Sequence, residues 1–175
     1  GSNTACVIVE VQTNPLVQTP DLGRLRALSR RFGFAVVIDV TLATPVNVDV
    51  LSYGDVIVES LTKYACGSGD VMMGSAVVNP ASPFAGELCR LLSQHTEPPY
   101  HRDAARLAHL IGRYEKRMEL VNRNTVELAS WLEAHPAVKQ VYWAYRGKSG
   151  ENYRALERRP DAPGLFSLTD LRAPS

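Results

Sequence analysis

Three short apolar segments, each followed at once by polar residues, constrain the fold of this chain more than any other feature. They occupy residues 6–11, 35–38 and 55–58 and are rich in valine and isoleucine. Continuous apolar segments of this length are typical of strands buried in a parallel sheet. Leucine and phenylalanine recur at helical spacing over residues 22–32, which supplies the crossover helix that parallel strands need. The pattern therefore predicts a mostly parallel α/β sheet.

A fourth apolar segment covers residues 71–78. The connection that precedes it, near residues 65–70, is too short to contain a crossover helix. We therefore expect the fourth strand to run antiparallel to the third, which makes the predicted sheet a mixed one.

The second half of the chain has a mainly helical pattern. A short helix is predicted over residues 84–94 and a long helix over residues 103–134, where apolar side chains form a stripe. Two further strands are predicted over residues 138–145 and 165–168. The polar composition of residues 146–163 predicts a loop between them.

Composition excludes several classes of protein and of site. The net charge of +1 argues against a protein that binds nucleic-acid phosphate, and no segment approaches the roughly 18 apolar residues of a membrane span. The three cysteines form no CxxC pair and the four histidines lack metal-ligand spacing, so we expect neither a disulfide framework nor a metal site. We expect a cytoplasmic protein with no nucleic-acid or membrane partner.

The two ends of the sequence indicate a piece of a longer protein. Gly1-Ser2 resembles the remnant of a removed tag, and an apolar segment begins almost at once after it. The last residues follow a predicted strand directly. We therefore expect this chain to be a fragment.

Polar residues stand at the predicted carboxyl ends of the first three strands, where open parallel sheets bind their ligands. A partly buried lysine there can form a Schiff base with an aldehyde, a carboxylate can hold a cationic ring nitrogen, and hydroxyl and amide groups can bind phosphate. Each residue also has a simpler interpretation, as a surface lysine or a turn residue. Together they predict a site for a phosphorylated, aldehyde-bearing, cationic heterocycle: Glu10, Asn14, Asp39, Thr41, Ser60, Thr62 and Lys63.

Four motifs surround these strand ends: Glu-Val-Gln-Thr-Asn-Pro at 10–15, Val-Ile-Asp-Val-Thr-Leu-Ala-Thr-Pro at 37–45, Asp-Val-Ile-Val-Glu-Ser-Leu-Thr-Lys-Tyr at 55–64 and Gly-Ser-Gly-Asp-Val-Met-Met-Gly at 67–74. They closely resemble the Cys/Met-metabolism family of pyridoxal-phosphate (PLP) enzymes. That family includes cystathionine γ-synthase, the cystathionine lyases, methionine γ-lyase and O-acetylhomoserine sulfhydrylase. The resemblance is sharp over residues 7–80. It differs at Val40, where the family usually has asparagine, and at residues 67–70, where it usually has Gly-His-Ser-Asp.

The resemblance implies a role for each polar residue at the strand ends. Lys63 would form the Schiff base with the cofactor and later move protons. Asp39 would pair with the protonated pyridine nitrogen and keep the ring an electron sink. The other residues would surround the cofactor: Thr41 against the ring, Ser60 and Thr62 at the phosphate, Asn14 near the 3-oxygen of the ring, and Glu10 in support.

The resemblance also implies an architecture, PLP-dependent transferase fold type I. The chain would contain part of the large domain, with its mixed and mostly parallel sheet, and the start of the C-terminal α+β small domain. The boundary would separate residues 1–112, in the PLP-binding domain, from residues 113–175, which begin with the long helix. The family further implies a homo-oligomer, a dimer of dimers, that acts on a small amino-acid substrate.

The expected function is a transsulfuration-type reaction on sulfur amino acids or activated homoserine, with elimination or replacement at Cβ or Cγ. Cystathionine γ-synthase is the member that the sequence resembles most, and a cystathionine β- or γ-lyase or a methionine γ-lyase is the alternative. Two other kinds of protein stay open. One is a receiver-like signalling domain, which also uses an aspartate, a hydroxyl and a lysine at strand ends. The other is an inactive fragment that only folds and associates.

Overall fold

The first half of the chain forms a four-stranded sheet. The computed structural model describes residues 3–171, and its sheet has the strand order β1-β2-β3-β4. The first three strands are parallel and the fourth is antiparallel to the third, which confirms the predicted mixed sheet. The strands are β1 (Cys6–Glu10), β2 (Ala35–Asp39), β3 (Val56–Ser60) and β4 (Gly74–Val78).

The crossover helix α1 (Leu22–Phe32) connects β1 and β2 as predicted. It begins after Asp21, whose side chain accepts a hydrogen bond from the Arg24 amide at 2.8 Å and so caps the first turn. Leu22 is buried in the main apolar cluster, together with Val36, Ile38 and Val40 of the second strand and its end. One face of β2 is therefore packed beneath the helix.

The opposite face of the sheet is open, which corrects the prediction that β1 is a buried strand. Cys6 and Ile8 are exposed, and 71% of Ile8 is accessible to solvent. In the register of the sheet Ile8 lies beside Val37, which is only half-buried. An apolar strand becomes buried only when other elements cover both of its faces, and the described residues cover one face of β1.

A buried ion pair anchors the start of β3. Arg26 on α1 donates to both carboxylate oxygens of Asp55, at 3.0 and 2.9 Å. Ser82 Oγ and the Val36 amide also donate to this carboxylate, at 2.6 and 2.7 Å. Burial by itself would raise the pKa of Asp55, but these hydrogen bonds and the Arg26 charge lower it below its ordinary value of 3.8. The pair lies at the amino end of β3, away from the predicted site.

The helices after the sheet are α2 (Ala85–His95), α3 (His101–Leu110) and α4 (Tyr114–Ala134). The prediction of one helix over residues 103–134 is wrong at the junction, where a 3₁₀ turn, Ile111–Arg113, separates α3 from α4. Gly112 lies within that turn and has a low helix propensity. Leu110 and Tyr114, on either side of it, are both buried in the same apolar cluster.

The last described part of the chain pairs β5 (Val138–Trp143) with β6 (Phe166–Leu171) in an antiparallel sheet. The prediction of a loop over residues 146–163 is wrong in part, because α5 (Gly147–Arg154) lies there. Its surface is polar, which conceals the helix from a hydrophobicity pattern. Tyr153 is fully buried, and its hydroxyl donates to the Ala162 carbonyl at 2.6 Å. Ser149 Oγ accepts from the Thr19 amide at 2.6 Å and Asn152 Nδ2 donates to the Thr19 carbonyl at 2.9 Å, so polar contacts also hold the helix in place.

Candidate functional site

A cleft of about 250 Å³ opens at the carboxyl ends of β1, β2 and β3. It contains every residue predicted for the site except Thr62, so folding brings together groups from three separate segments of the chain. Such clefts at strand ends are where open α/β sheets bind ligands. The lining residues are Glu10, Val11, Gln12, Asn14, Asp39, Thr41, Leu42, Ser60 and Lys63.

The strand register explains why the carboxylates and the serine share one face. Glu10 pairs with Asp39, and Asp39 pairs with Val58, two residues before Ser60. Because side chains alternate between the faces of a sheet, residues in register or two apart project to the same side. Glu10, Asp39 and Ser60 therefore form a polar row at the end of the open apolar face.

A chain of backbone and side-chain hydrogen bonds links β2 to β3 within the cleft. The Thr41 amide donates to Asp39 Oδ1 at 2.8 Å, and the Ser60 amide donates to Thr41 Oγ1 at 2.8 Å. These bonds hold one carboxylate oxygen of Asp39 and orient the Thr41 hydroxyl. Among residues 3–171, no donor is paired with Asp39 Oδ2, so that oxygen is available to a ligand.

Lys63 lies in the turn that follows β3. Its amide donates to the Ser60 carbonyl at 3.2 Å, and its carbonyl accepts from the Gly67 amide at 2.7 Å. The residue is exposed, as expected for a solvent-facing amine, and the partial burial considered for a Schiff-base lysine is not seen. No acidic side chain in the described part of the chain forms an ion pair with its amine. The turn fixes the backbone, and the amine itself is free to reach into the cleft.

Thr62 faces a second, larger cleft of about 500 Å³ instead. Its hydroxyl oxygen accepts a hydrogen bond from the Met73 amide at 3.4 Å. Ser60 lines both clefts and therefore lies at the boundary between them, whereas Thr62 lines only the larger one.

Asn14 and Glu10 lie at the exposed rim of the cleft, where the Asn14 amide donates to Glu10 Oε2 at 3.3 Å. Between them Gln12, a residue that was not predicted for the site, is fully buried and has a positive φ of 65°. Its side-chain Nε2 donates to the Pro163 carbonyl at 2.5 Å and so ties the cleft to the segment before β6. No local pattern reveals this, since Pro163 is distant in sequence.

A buried pair that was not predicted from the sequence lies behind the cleft. The Tyr114 hydroxyl, at the start of α4, donates to Glu59 Oε1, and both residues are buried. Burial raises the pKa of Glu59 and the nearby charge of Asp39 adds to that effect, while the hydrogen bond from Tyr114 opposes it. Burial and the Glu59 carboxylate raise the pKa of Tyr114 far above its ordinary value. The alternation of β3 could have indicated Glu59, because it places Glu59 on the face opposite Ser60.

The groups in the cleft suit PLP. A free primary amine, a carboxylate with an available oxygen, and hydroxyls near backbone amides match an aldehyde, a ring nitrogen that carries a proton, and a phosphate. Over residues 3–171, no cluster of three His, Cys, Asp or Glu side chains is arranged to hold a metal ion. No helix in that range is long and apolar enough to cross a membrane.

Comparison with known proteins agrees with this chemistry. A relative from Streptantibioticus cattleyicolor, L-2-amino-4-chloropent-4-enoate dechlorinase/desaturase, is 51% identical over 170 residues, which are 97% of this chain and 34% of the relative. Cystathionine gamma-synthase of Neurospora crassa is 35% identical over 158 residues, 90% of this chain and 25% of the relative. The chain thus spans about a third or less of these curated relatives.

A solved structure gives the same result for the fold. The cystathione gamma lyase CalE6 from Micromonospora echinospora superposes with a TM-score of 0.83 at 26% identity, over 97% of this chain and 45% of that protein. The family model for Cys/Met metabolism PLP-dependent enzymes matches residues 1–169. The matched residues therefore include all the strands that line the cleft, β5 and most of β6. The chain belongs to the Cys/Met metabolism family of PLP-dependent enzymes.

Proposed function

We propose that this chain contributes the lysine-bearing part of a PLP enzyme that eliminates or replaces a group at the γ-carbon of an amino acid. The observation that carries the proposal is the single cleft that contains the Lys63 amine, the Asp39 carboxylate and Ser60. We assign residues 1–112 to the PLP-binding domain and residues 113–175 to the long helix and the beginning of the small domain.

The proposed roles follow from the chemistry of each group. Lys63 Nζ holds the cofactor covalently through its aldehyde carbon, and Asp39 accepts a hydrogen bond from the protonated ring nitrogen through Oδ2. Ser60 binds the phosphate, with Thr62 beyond it, while Thr41 lies against the ring and Asn14 near its 3-oxygen. When bound, PLP withdraws electrons from the substrate α-carbon and makes its proton acidic.

The proton transfers are assigned to Lys63. Lys63 Nζ would serve as the base, at the end of a flexible side chain that can reach the substrate. It would take the proton from the substrate α-carbon, deliver it to the former aldehyde carbon of the cofactor, and then take a proton from the β-carbon. The electron pair of that β-carbon bond would form the new bond to the γ-carbon as the group on the γ-carbon leaves. The turn over residues 60–67 keeps the base close to the cleft, and Asp39 keeps the ring nitrogen protonated.

The choice of leaving group is guided by the relatives. The relative that is 51% identical is named for removing chlorine from carbon 4 of an amino acid, which is the γ-carbon. The 35% identical synthase is the second candidate, and its name also implies reaction at the γ-carbon. The higher identity favours elimination from a γ-substituted amino acid. Replacement by a thiol, as in cystathionine synthesis, is the alternative.

One experiment separates the two reactions. The full-length protein, loaded with PLP, is incubated with L-2-amino-4-chloropent-4-enoate in one arm and with an O-acylhomoserine plus cysteine in the other. Chloride release with little cystathionine supports the dechlorinating elimination, and the reverse result supports the synthase. Lack of turnover in both arms, with PLP trapped on Lys63 by borohydride, contradicts the proposed γ-substrates and leaves the cofactor site intact.

We also propose that the enzyme works as a homo-oligomer on a small amino-acid substrate. The open apolar face of β1 supports association, because Ile8 on that face is 71% exposed. Light scattering on the full-length protein measures the assembly, and a monomer at micromolar concentration would contradict it.

A further inference from the structure

The first two turns of α4 contact both ends of the segment that carries the cleft residues. At one end the Tyr114 hydroxyl donates to the carboxylate of Glu59, the residue before Ser60. At the other end Arg117 Nη1 donates to the Tyr64 carbonyl at 2.5 Å and to the Ala65 carbonyl at 3.2 Å. Lys63 lies between these two attachments.

The turn between the attachments is held by its own backbone and by its neighbours in the sheet. The Ser60 amide donates to Thr41 Oγ1. The Leu61 amide donates to the Met73 carbonyl at 2.9 Å, and Thr62 Oγ1 accepts from the Met73 amide. The Cys66 amide donates to the Leu61 carbonyl at 2.9 Å, and Lys63 is bonded only to backbone groups of Ser60 and Gly67 in the part of the chain that the structure describes. Ala65 and Cys66 are buried against Met118, the residue that follows Arg117 on α4. The helix therefore supplies tertiary contacts on both sides of Lys63, at Glu59 and at residues 64–66.

The polar contacts are made where water is largely excluded. Glu59 and Tyr114 are 9% and 8% exposed. Burial raises the pKa of the Glu59 carboxyl, and the charge of Asp39 on β2 raises it further. Burial also raises the pKa of Tyr114, whereas the positive charge of Arg117 lowers it. A buried carboxylate that loses its hydrogen-bond donor carries the full cost of desolvation, so removal of the Tyr114 hydroxyl should shift β3 locally.

We propose that Tyr114 and Arg117 are positioning residues that clamp segment 59–66 and so set where Lys63 and Ser60 meet the cofactor. Neither side chain lines the cleft, and both act through the backbone of the segment. The inference rests on the proposed assignment of Lys63 as the residue that holds PLP.

The test measures the Kd for PLP of the full-length protein by absorbance titration. Tyr114→Phe removes the hydroxyl and keeps the ring, and it should raise the Kd about tenfold. Glu59→Gln keeps an oxygen that accepts from Tyr114 and should stay within about threefold of the wild type. Glu59→Leu, which leaves the hydroxyl without a partner, should resemble Tyr114→Phe.

The matched control is Tyr153→Phe, because Tyr153 is also a buried tyrosine whose hydroxyl donates within the protein, to the Ala162 carbonyl. It should lower the melting temperature about as much as Tyr114→Phe and leave the Kd unchanged. Equal effects of the two variants on the Kd, or no effect of Tyr114→Phe, overturn the proposal. If Tyr114→Phe does not fold, Arg117→Met replaces it, with the same increase in Kd expected.

Borohydride labelling of the wild type keeps this test separate from the proposed reaction. PLP trapped on a lysine other than Lys63 overturns the proposal, since segment 59–66 would then not carry the residue that holds the cofactor. PLP trapped on Lys63 together with a raised Kd for Tyr114→Phe supports it, whichever substrate the enzyme accepts.

Discussion

Asn47 and Asn122 hydrogen-bond to each other through both side-chain amides, at 3.0 and 2.9 Å, although 75 residues separate them. Both are buried, and the Gly164 amide also donates to Asn122 Oδ1 at 2.9 Å. The pair therefore joins the loop after β2, helix α4 and the segment before β6. It connects residues that we assign to the PLP-binding domain with residues that we assign to the small domain.

Replacement of Asn122 should destabilise the protein. Asn122→Ala leaves the Asn47 amide and the Gly164 amide buried without partners, which should cost about 1–3 kcal/mol per unsatisfied group. Urea unfolding measures the loss. Asn124→Ala, at an exposed position of the same helix, is the control and should change the free energy of unfolding by no more than about 0.5 kcal/mol.

Lys63→Ala should abolish turnover and leave the fold intact. The side chain is exposed, so its removal costs little packing, whereas no other group in the cleft offers a primary amine. Borohydride reduction followed by peptide mapping should find PLP on residues 60–64 in the wild type and not in the variant. Lys116→Ala, at an exposed lysine of α4, should keep both label and activity. Label on another peptide would contradict the assignment.

Asp39→Asn should lose much more in rate than in stability. The asparagine oxygen can still accept from the Thr41 amide, so the link between Asp39 and Thr41 persists. The lost charge, however, removes a contact to the ring nitrogen worth about 1.5–3 kcal/mol, which corresponds to at least a tenfold loss in kcat. Glu10→Gln, at the rim, should lose less. If Asp39→Asn keeps a near-normal kcat, Asp39 has only the structural role of a turn residue and does not contact the ring nitrogen.

Acid should weaken the fold through Asp55. Its pKa is lower in the folded protein than in the unfolded chain, so its stabilising contribution is complete above about pH 4 and is lost as the pH falls through the folded value. Urea unfolding at a series of pH values should show this loss in the wild type. Asp55→Asn should be destabilised at neutral pH and should show less further loss in acid, because the buried pair is already broken.

The control for that series is an exposed pair. Asp49 lies 3.8 Å from Arg158, and both side chains are about half exposed. Asp49→Asn should follow the wild-type pH dependence, because exposed ion pairs contribute little to stability. An equal change in both variants would show that the acid sensitivity does not come from Asp55.

Gly67→Ala should disturb the Lys63 turn more than Gly69→Ala. Both glycines have a positive φ, 74° and 70°, so alanine costs about 1–2 kcal/mol at either position. Only at Gly67 would the new methyl group collide with Arg117, at 2.1 Å from its Nε, and displace its hydrogen bonds to the turn. Thermal melting should give a lower melting temperature for Gly67→Ala than for Gly69→Ala. When both substitutions are made in the Arg117→Ala variant, this difference in melting temperature should disappear.

Local patterns were enough to predict most of the fold. The short valine-rich segments and the apolar stripe of α1 predicted three parallel strands and their crossover, and the short connection before β4 predicted its antiparallel direction. The pattern failed for α5, because a helix held by one buried tyrosine, Tyr153, and by polar contacts of Ser149 and Asn152 has no apolar stripe. It also failed at the 3₁₀ turn, because Leu110 and Tyr114 keep helical spacing and pack in one cluster on either side of Gly112, which interrupts the helix.

Some features of the candidate site also follow from local sequence patterns, and others follow only from tertiary packing. The sequence by itself determined that Asp39 and Ser60 reach the cleft, because strand ends and the two-residue alternation are local properties of the chain. Only the tertiary structure decided that Glu59 would meet Tyr114 and that Gln12 would bond to Pro163. Those contacts join residues 55 and 151 positions apart, and their partners are selected by how helices and sheet pack, which no short-range pattern encodes.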